Sequence, residues 1–142
     1  MATENVMTTI KVRAAVDGDL AALEAFIAPF VEGGKLLPRT FDELTELLPS
    51  FFIAEVEGEI VGCAALEVYS RKLAEIRSLA VSPTMQGRGV GKLLVEACVE
   101  LAREKNVLEV MAITSSDGFF ISCGFDFTLP GEKKALFYQT RE

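Results

Sequence analysis

Three glycines at alternate positions, Gly87, Gly89 and Gly91, stand in the run MQGRGVGKLL, between a β-like stretch and an apolar run of helical spacing. Glycine lets backbone N–H groups approach an anion without a Cβ in the way. The start of a helix adds amides that lack intrahelical partners and the positive end of a dipole. The run therefore reads as a phosphate cradle. It is not the triphosphate loop, which needs G-x-x-x-x-G-K followed by a magnesium-ligating hydroxyl, because Gln86 fills the first slot and Leu93 the last. Nor is it the dinucleotide pattern G-x-G-x-x-G, whose final glycine would come one residue later. Pyrophosphate held without a magnesium ligand suits a molecule that carries its phosphates as a handle and reacts elsewhere. Coenzyme A is such a molecule.

The rest of the composition narrows the chemistry. The chain has 142 residues, enough for one domain with a substantial core, and it contains no histidine. Proton removal then falls to a carboxylate. Cys63, Cys98 and Cys123 are odd in number with no C-x-x-C spacing, which argues against a disulfide framework, a zinc site or a cysteine–histidine nucleophile. No metal is expected. A net charge of -7 with no basic run repels a phosphate backbone, so nucleic acid is not expected as a partner. Neither a leader-like N-terminus nor an apolar run of about 18 residues occurs, so a soluble, cytoplasmic protein away from membranes is expected. Self-association as a homodimer stays open.

These residues need elements to position them. Residues 9–14 (TIKVRA) alternate as a strand, and Asp17 offers an N-cap for an amphipathic helix stopped by Gly33 and Gly34. Thr40 and Glu43 form a capping box for a second helix ending before Pro49. FFIAEVE and IVGCAALEVY read as strands joined by a hairpin at Glu57 and Gly58, and LAEIRSLAV (73–81) as a third strand. After the glycine run comes a helix closing near Asn106, a strand over 107–113, and a short helix over 117–123. FDFTL and KALFYQTR are two last strands. The predicted order is βααβββαβαββ, an α/β (α+β) domain spanning residues 1–142 with a mixed central sheet.

With these motifs in place, the chain resembles the GNAT family of N-acetyltransferases. Its acetyl-CoA signature, Q/R-x-x-G-x-G/A, is matched by Gln86-Gly87-Arg88-Gly89-Val90-Gly91, and a later aromatic pair followed by x-x-x-G-F is matched from Phe119 to Phe125. The resemblance implies a GNAT-like fold and acetyl-CoA as co-substrate. It places the backbone amides of Arg88, Gly89, Val90, Gly91 and Lys92 at the pyrophosphate, with Arg88 and Lys92 side chains assisting. The backbone of Leu79, Ala80 and Val81 lies along the pantetheine arm.

Within the family, three segments are similar to the N-acetylglutamate synthases of arginine biosynthesis: LLPRT (36–40), GCAALEVY (62–69) and LPGEKKALFYQTR (129–141). They imply L-glutamate as acceptor, bound by Leu37, Arg39 and Arg141, since arginine grips carboxylate in a bidentate fork. Glu75 matches the base position and would work through water. Phe120 occupies the slot in which many relatives carry a tyrosine to protonate the thiolate; Ser116 matches a serine that can lie near the sulfur and is the first candidate for that step, with Tyr138 and Cys123 as weaker ones. Direct transfer with no covalent enzyme intermediate is expected. The alternatives are a relative that acetylates another small amine or a protein N-terminus, and a decayed CoA-binding module.

Overall fold

A computed structural model describes residues 9–128 and 131–141. Residues 1–8, 129–130 and 142 lie outside the described residues, and with them the expectation for the N-terminus and the Leu129 and Pro130 part of the C-terminal resemblance. The elements are β1 (Lys11–Ala14), α1 (Leu20–Glu32), α2 (Phe41–Leu47), β2 (Phe51–Val56), β3 (Glu59–Val68), β4 (Leu73–Val81), α3 (Val90–Glu104), β5 (Glu109–Met111) and α4 (Asp117–Ser122). The strands lie in the sheet in chain order, antiparallel from β1 to β4 and parallel between β4 and β5. A parallel step needs a crossover, and α3 supplies it.

Helices cover both faces of this sheet. On one face Ala64, Leu66, Ala74 and Ile76 pack with Val90, Leu94 and Cys98 of α3 and with Phe120 of α4. On the other, Phe51, Ile53, Cys63 and Ala65 pack with Leu23 of α1 and Leu44 of α2. The alternation along β3 sends neighbouring residues to opposite layers, as a strand buried on both sides requires. Among the described residues no helix is long and apolar enough to cross a membrane.

The capping box is formed as expected: Thr40 N donates to Glu43 Oε1 at 2.8 Å and Glu43 N to Thr40 Oγ1 at 3.1 Å. Asp17 is not the cap of α1. It opens a 3-10 turn (Asp17–Asp19), and α1 begins after Asp19, whose carboxylate accepts from Val16 N at 2.8 Å and from both Arg13 terminal nitrogens at 2.7 and 2.9 Å. The ion pair with β1 fixes which aspartate serves the turn.

The two last strands expected from FDFTL and KALFYQTR are absent among the described residues, where the order ends βααβββαβα. A strand needs a neighbouring ladder, and β5, at the edge of the sheet, offers only three residues, with no described residue paired to its outer edge. The described residues from 131 to 141 are all exposed.

Candidate active site

The site is built around an irregularity in β4. Cys63 pairs with Ala80 but Ala65 pairs with Arg77, so Ser78 and Leu79 both stand opposite Ala64. This is a β-bulge, and Ser78 carries the positive φ, 56°, that few non-glycine residues adopt. Two side chains hold it. The Cys63 thiol donates to Ser78 O at 3.3 Å, and Arg39 Nε donates to Ser78 Oγ at 3.2 Å. Burial pushes the Cys63 thiol up to about 12, so it serves as a donor rather than a nucleophile. The extra residue also resets the alternation. Arg77 and Ala80, three apart, both face the α1–α2 layer, because their partners Ala65 and Cys63 do.

Next to the bulge the sheet opens. The last pair between β4 and β5 is Glu75 with Met111. Beyond it the strands part, and a groove of about 1300 Å³ lies between residues 75–81 on one side and Ile113, Thr114, Ser115 and Ser116 on the other. A strand that loses its neighbour keeps unpaired backbone donors and acceptors along that edge, which an extended ligand can use as an added strand would.

At one end of the groove stands the glycine run. Gly87 and Gly89 have φ of 81° and 83°, and Gly89 caps α3 with no side chain hydrogen-bonded to the exposed amides. The first amide inside the helical ladder is that of Leu93, bonded to Gly89 O at 3.1 Å. Those of Val90, Gly91 and Lys92 are thereby left for an anion. A Cβ on Gly91 would come within 3.1 Å of Phe119 Cζ, so the helix start is pressed against α4. Gln86 Nε2 donates to Val81 O at 3.3 Å and ties the run to the strand before it.

At the other end, Lys35, Leu37 and Arg39 descend from the α1–α2 connection. Between the two ends lies Glu75, 7 % exposed. The Tyr69 hydroxyl donates to Glu75 Oε1 at 2.6 Å, and Arg77 Nη1 lies 3.7 Å from the same oxygen. Arg77 Nη1 also donates to Glu67 Oε1 at 3.2 Å and to the Tyr69 oxygen at 3.3 Å. Arg39 Nη2 stands 3.7 Å from Glu67 Oε1. Glu67 and Glu75 are direct cross-strand partners, a like-charge pairing that Arg77 offsets. Burial, followed by the hydrogen bond to Glu75, raises the Tyr69 phenol above its ordinary value and keeps it protonated as a donor.

The structure thus brings Glu75, Leu79, Ala80, Val81, Gln86, Gly87, Gly89, Val90, Gly91, Lys92, Ser116, Leu37 and Arg39 to one groove. Arg39 and the glycine run belong to opposite layers, yet both open into it because β4 and β5 part. Two expected residues are not brought there. Arg88 is not among the groove-lining residues although both its neighbours are, and Arg141 lies in an exposed segment with no strand or helix to direct it inward. Phe120 lines the groove but is only 8 % exposed, in edge-on contact with Phe119 and Phe125, so the slot of the missing tyrosine is an apolar ring where the core meets the groove. Lys35 and Tyr69 were not anticipated. Hairpin pairing of GCAALEVY with LAEIRSLAV in the register seen would have set Tyr69 near Glu75.

The Acetyltransferase (GNAT) family profile matches residues 19–125. An uncharacterised N-acetyltransferase of Chlorobaculum tepidum is 37% identical over 80% of this chain and 74% of its own length. An amino-acid acetyltransferase of Mycobacterium tuberculosis is 34% identical over 80% of this chain and 67% of its own. Among solved structures, N-acetylglutamate synthase from Neisseria gonorrhoeae complexed with coenzyme A and N-acetyl-glutamate superposes with a TM-score of 0.73 at 32% identity, covering 82% of this chain but only 28% of that longer one.

Proposed function

Because the chain belongs to the Acetyltransferase (GNAT) family and is an acetyl-CoA-dependent N-acetyltransferase, we propose that its acceptor is the α-amine of an amino acid, L-glutamate, as in the first step of arginine biosynthesis. The observation that carries this reading is the meeting in the groove of Arg39, hydrogen-bonded to Ser78 at the bulge, and Glu75, on the same strand just before it. The first is a cation held in place for a carboxylate, the second a carboxylate buried where a proton must be taken. The amino-acid acetyltransferase and N-acetylglutamate synthase relatives support the same acceptor class.

In this reading the amides of Val90, Gly91 and Lys92 hold the pyrophosphate, and the open edge of Leu79, Ala80 and Val81 aligns the pantetheine arm. Glu75 accepts a proton from the acceptor ammonium, directly or through one water, and the freed amine attacks the thioester carbon. The oxyanion that forms is met by a backbone N–H at Leu79 or Val81. The C–S bond breaks, the nitrogen gives up its second proton as the intermediate collapses, and the leaving thiolate takes up a proton from the Ser116 hydroxyl at the far wall of the groove, which is refilled by the proton released from the nitrogen. Arg39 grips an acceptor carboxylate, and Lys35 supplies a second positive charge in place of Arg141.

The test is a screen of the twenty amino acids with acetyl-CoA and a thiol reagent. Acetylation of glutamate well above the others is expected. Transfer to a different amine, small or peptidic, would refute the acceptor. No transfer to any amine, with acetyl-CoA bound, would indicate a decayed binding module.

A further inference from the structure

A carboxylate serves as a base only if the correct oxygen is turned toward the proton, and two oxygens on a rotatable bond leave that unsettled. Every hydrogen bond and ion pair recorded for Glu75 is made at Oε1, by Tyr69 at 2.6 Å and Arg77 at 3.7 Å. Among the described residues no fully buried side-chain oxygen lacks a partner. Oε2, which has no partner, therefore keeps some solvent access, and Glu75 itself lines the groove. Tyr69 does not line that groove, and the residue, just past the end of β3, is 49 % exposed.

We propose that Tyr69 is a positioning residue of the reaction: its hydroxyl fixes Glu75 Oε1 from outside the groove and so presents Oε2 to the acceptor amine or to the water in front of it. This rests on the reading of Glu75 as the proton acceptor. Arg77 completes the device. By donating to the Tyr69 oxygen at 3.3 Å it takes up a lone pair there and directs the phenolic hydrogen at Glu75. Glu67, directly across from Glu75, anchors Arg77 at 3.2 Å and is itself approached by Arg39 from the α1–α2 connection. The charged and titratable groups that contact Glu75 or its partners are therefore Glu67 from β3, Tyr69 just past its end, Arg77 from β4, and Arg39 from the α1–α2 connection. One chain of contacts joins the cation assigned to the acceptor carboxylate with the group assigned to its amine.

Tyr69→Phe keeps the ring and removes the hydroxyl. At pH 7, kcat/KM for the amine is expected to fall about tenfold or more, the effect of losing a hydrogen bond to a charged group, while KM for acetyl-CoA and the melting temperature stay near wild type. The loss should fall on kcat rather than on KM for the amine, because the groove that binds the acceptor is intact while the oxygen that takes its proton is misdirected. A packing role would lower the melting temperature and would not produce that split. The Glu75→Gln enzyme is assayed in parallel. If it loses about 10²-fold or more while Tyr69→Phe keeps wild-type kcat and kcat/KM, the Tyr69 proposal alone is overturned. If Glu75→Gln keeps full activity, or the wild type acetylates no amine, both assignments fall together.

Discussion

Gly89 and Gly58 provide a matched pair for testing the cradle. Both have positive φ, 83° and 81°, and a Cβ built on either would meet nothing within 4 Å. Alanine at either site therefore brings the same backbone strain and no clash, about 1–2 kcal/mol for a left-handed L-residue. Taking about 2.1 cal/mol/K of unfolding entropy per residue, 142 residues give about 0.3 kcal/mol/K, so each variant should melt about 3–7 °C below wild type. Their ligand responses should differ. Gly58 turns the β2–β3 hairpin, whereas Gly89 lines the groove, and the open space its Cβ would enter is the space left for an anion. Gly89→Ala should weaken acetyl-CoA at least about tenfold, the range for one hydrogen bond lost to a charged group, and Gly58→Ala should leave it unchanged. Thermal melts with and without acetyl-CoA, and calorimetric titration, read both quantities. Wild-type affinity in Gly89→Ala would refute the backbone cradle. Equal losses in the two variants would show that strain, not the site, governs binding.

Acetyl-CoA should raise the melting temperature while ATP with magnesium does not, since a ligand that binds only the folded state stabilises it by mass action; comparable stabilisation by ATP would remove the pyrophosphate assignment. Arg39→Ala should raise KM for glutamate by about ten- to a hundredfold with KM for acetyl-CoA near wild type, and Arg39→Lys should recover only part, because a point charge cannot reproduce the planar fork of the guanidinium. Equal changes in both constants would make Arg39 a brace for the bulge. The hydrogen bonds from Arg13 and the Val16 amide hold the Asp19 carboxyl down at about 2 from its ordinary 3.8. With the folded value below the unfolded one, that stabilisation is whole above about pH 4 and is lost as pH falls through about 2. The difference in melting temperature between wild type and Asp19→Asn should narrow over that window, and a constant difference would show that the charge is not its source.

Local signals were legible where a short stretch decides its own structure. Thr40 and Glu43 announce their helix because both capping bonds lie within four residues, and β4 matches the apolar run over 73–81. The start of α1 was misread because Asp17 and Asp19 are equivalent as sequence, and Arg13, from another element, chooses between them. The last two strands were misread for the same reason: alternation marks a strand only if a ladder exists to receive it. In the site, the glycine run and Glu75 could be found from residue type and resemblance. Ser78 could not, since serine gives no local sign of a positive φ, and the bulge exists only through pairing with β3. Tyr69 and Lys35 were missed because what matters is where the fold carries them.

The doubled residue at Ser78 and Leu79 also constrains how this strand can change over generations. Arg77 and Ala80 already lie opposite Ala65 and Cys63, so deleting Ser78 would leave a regular ladder in which every other residue keeps its layer, and would remove only the turned backbone that Cys63 and Arg39 hold. A residue lost between Glu75 and Arg77 acts differently: without Ile76, Glu75 would be delivered into the layer of Leu66 and α3, and Ala74 would move toward the acceptor end. Descendants of this sequence can therefore vary the acceptor end by replacing residues along the strand, or by losing the doubled position itself, but a gain or loss of one residue between Leu73 and Arg77 converts lining into core and core into lining.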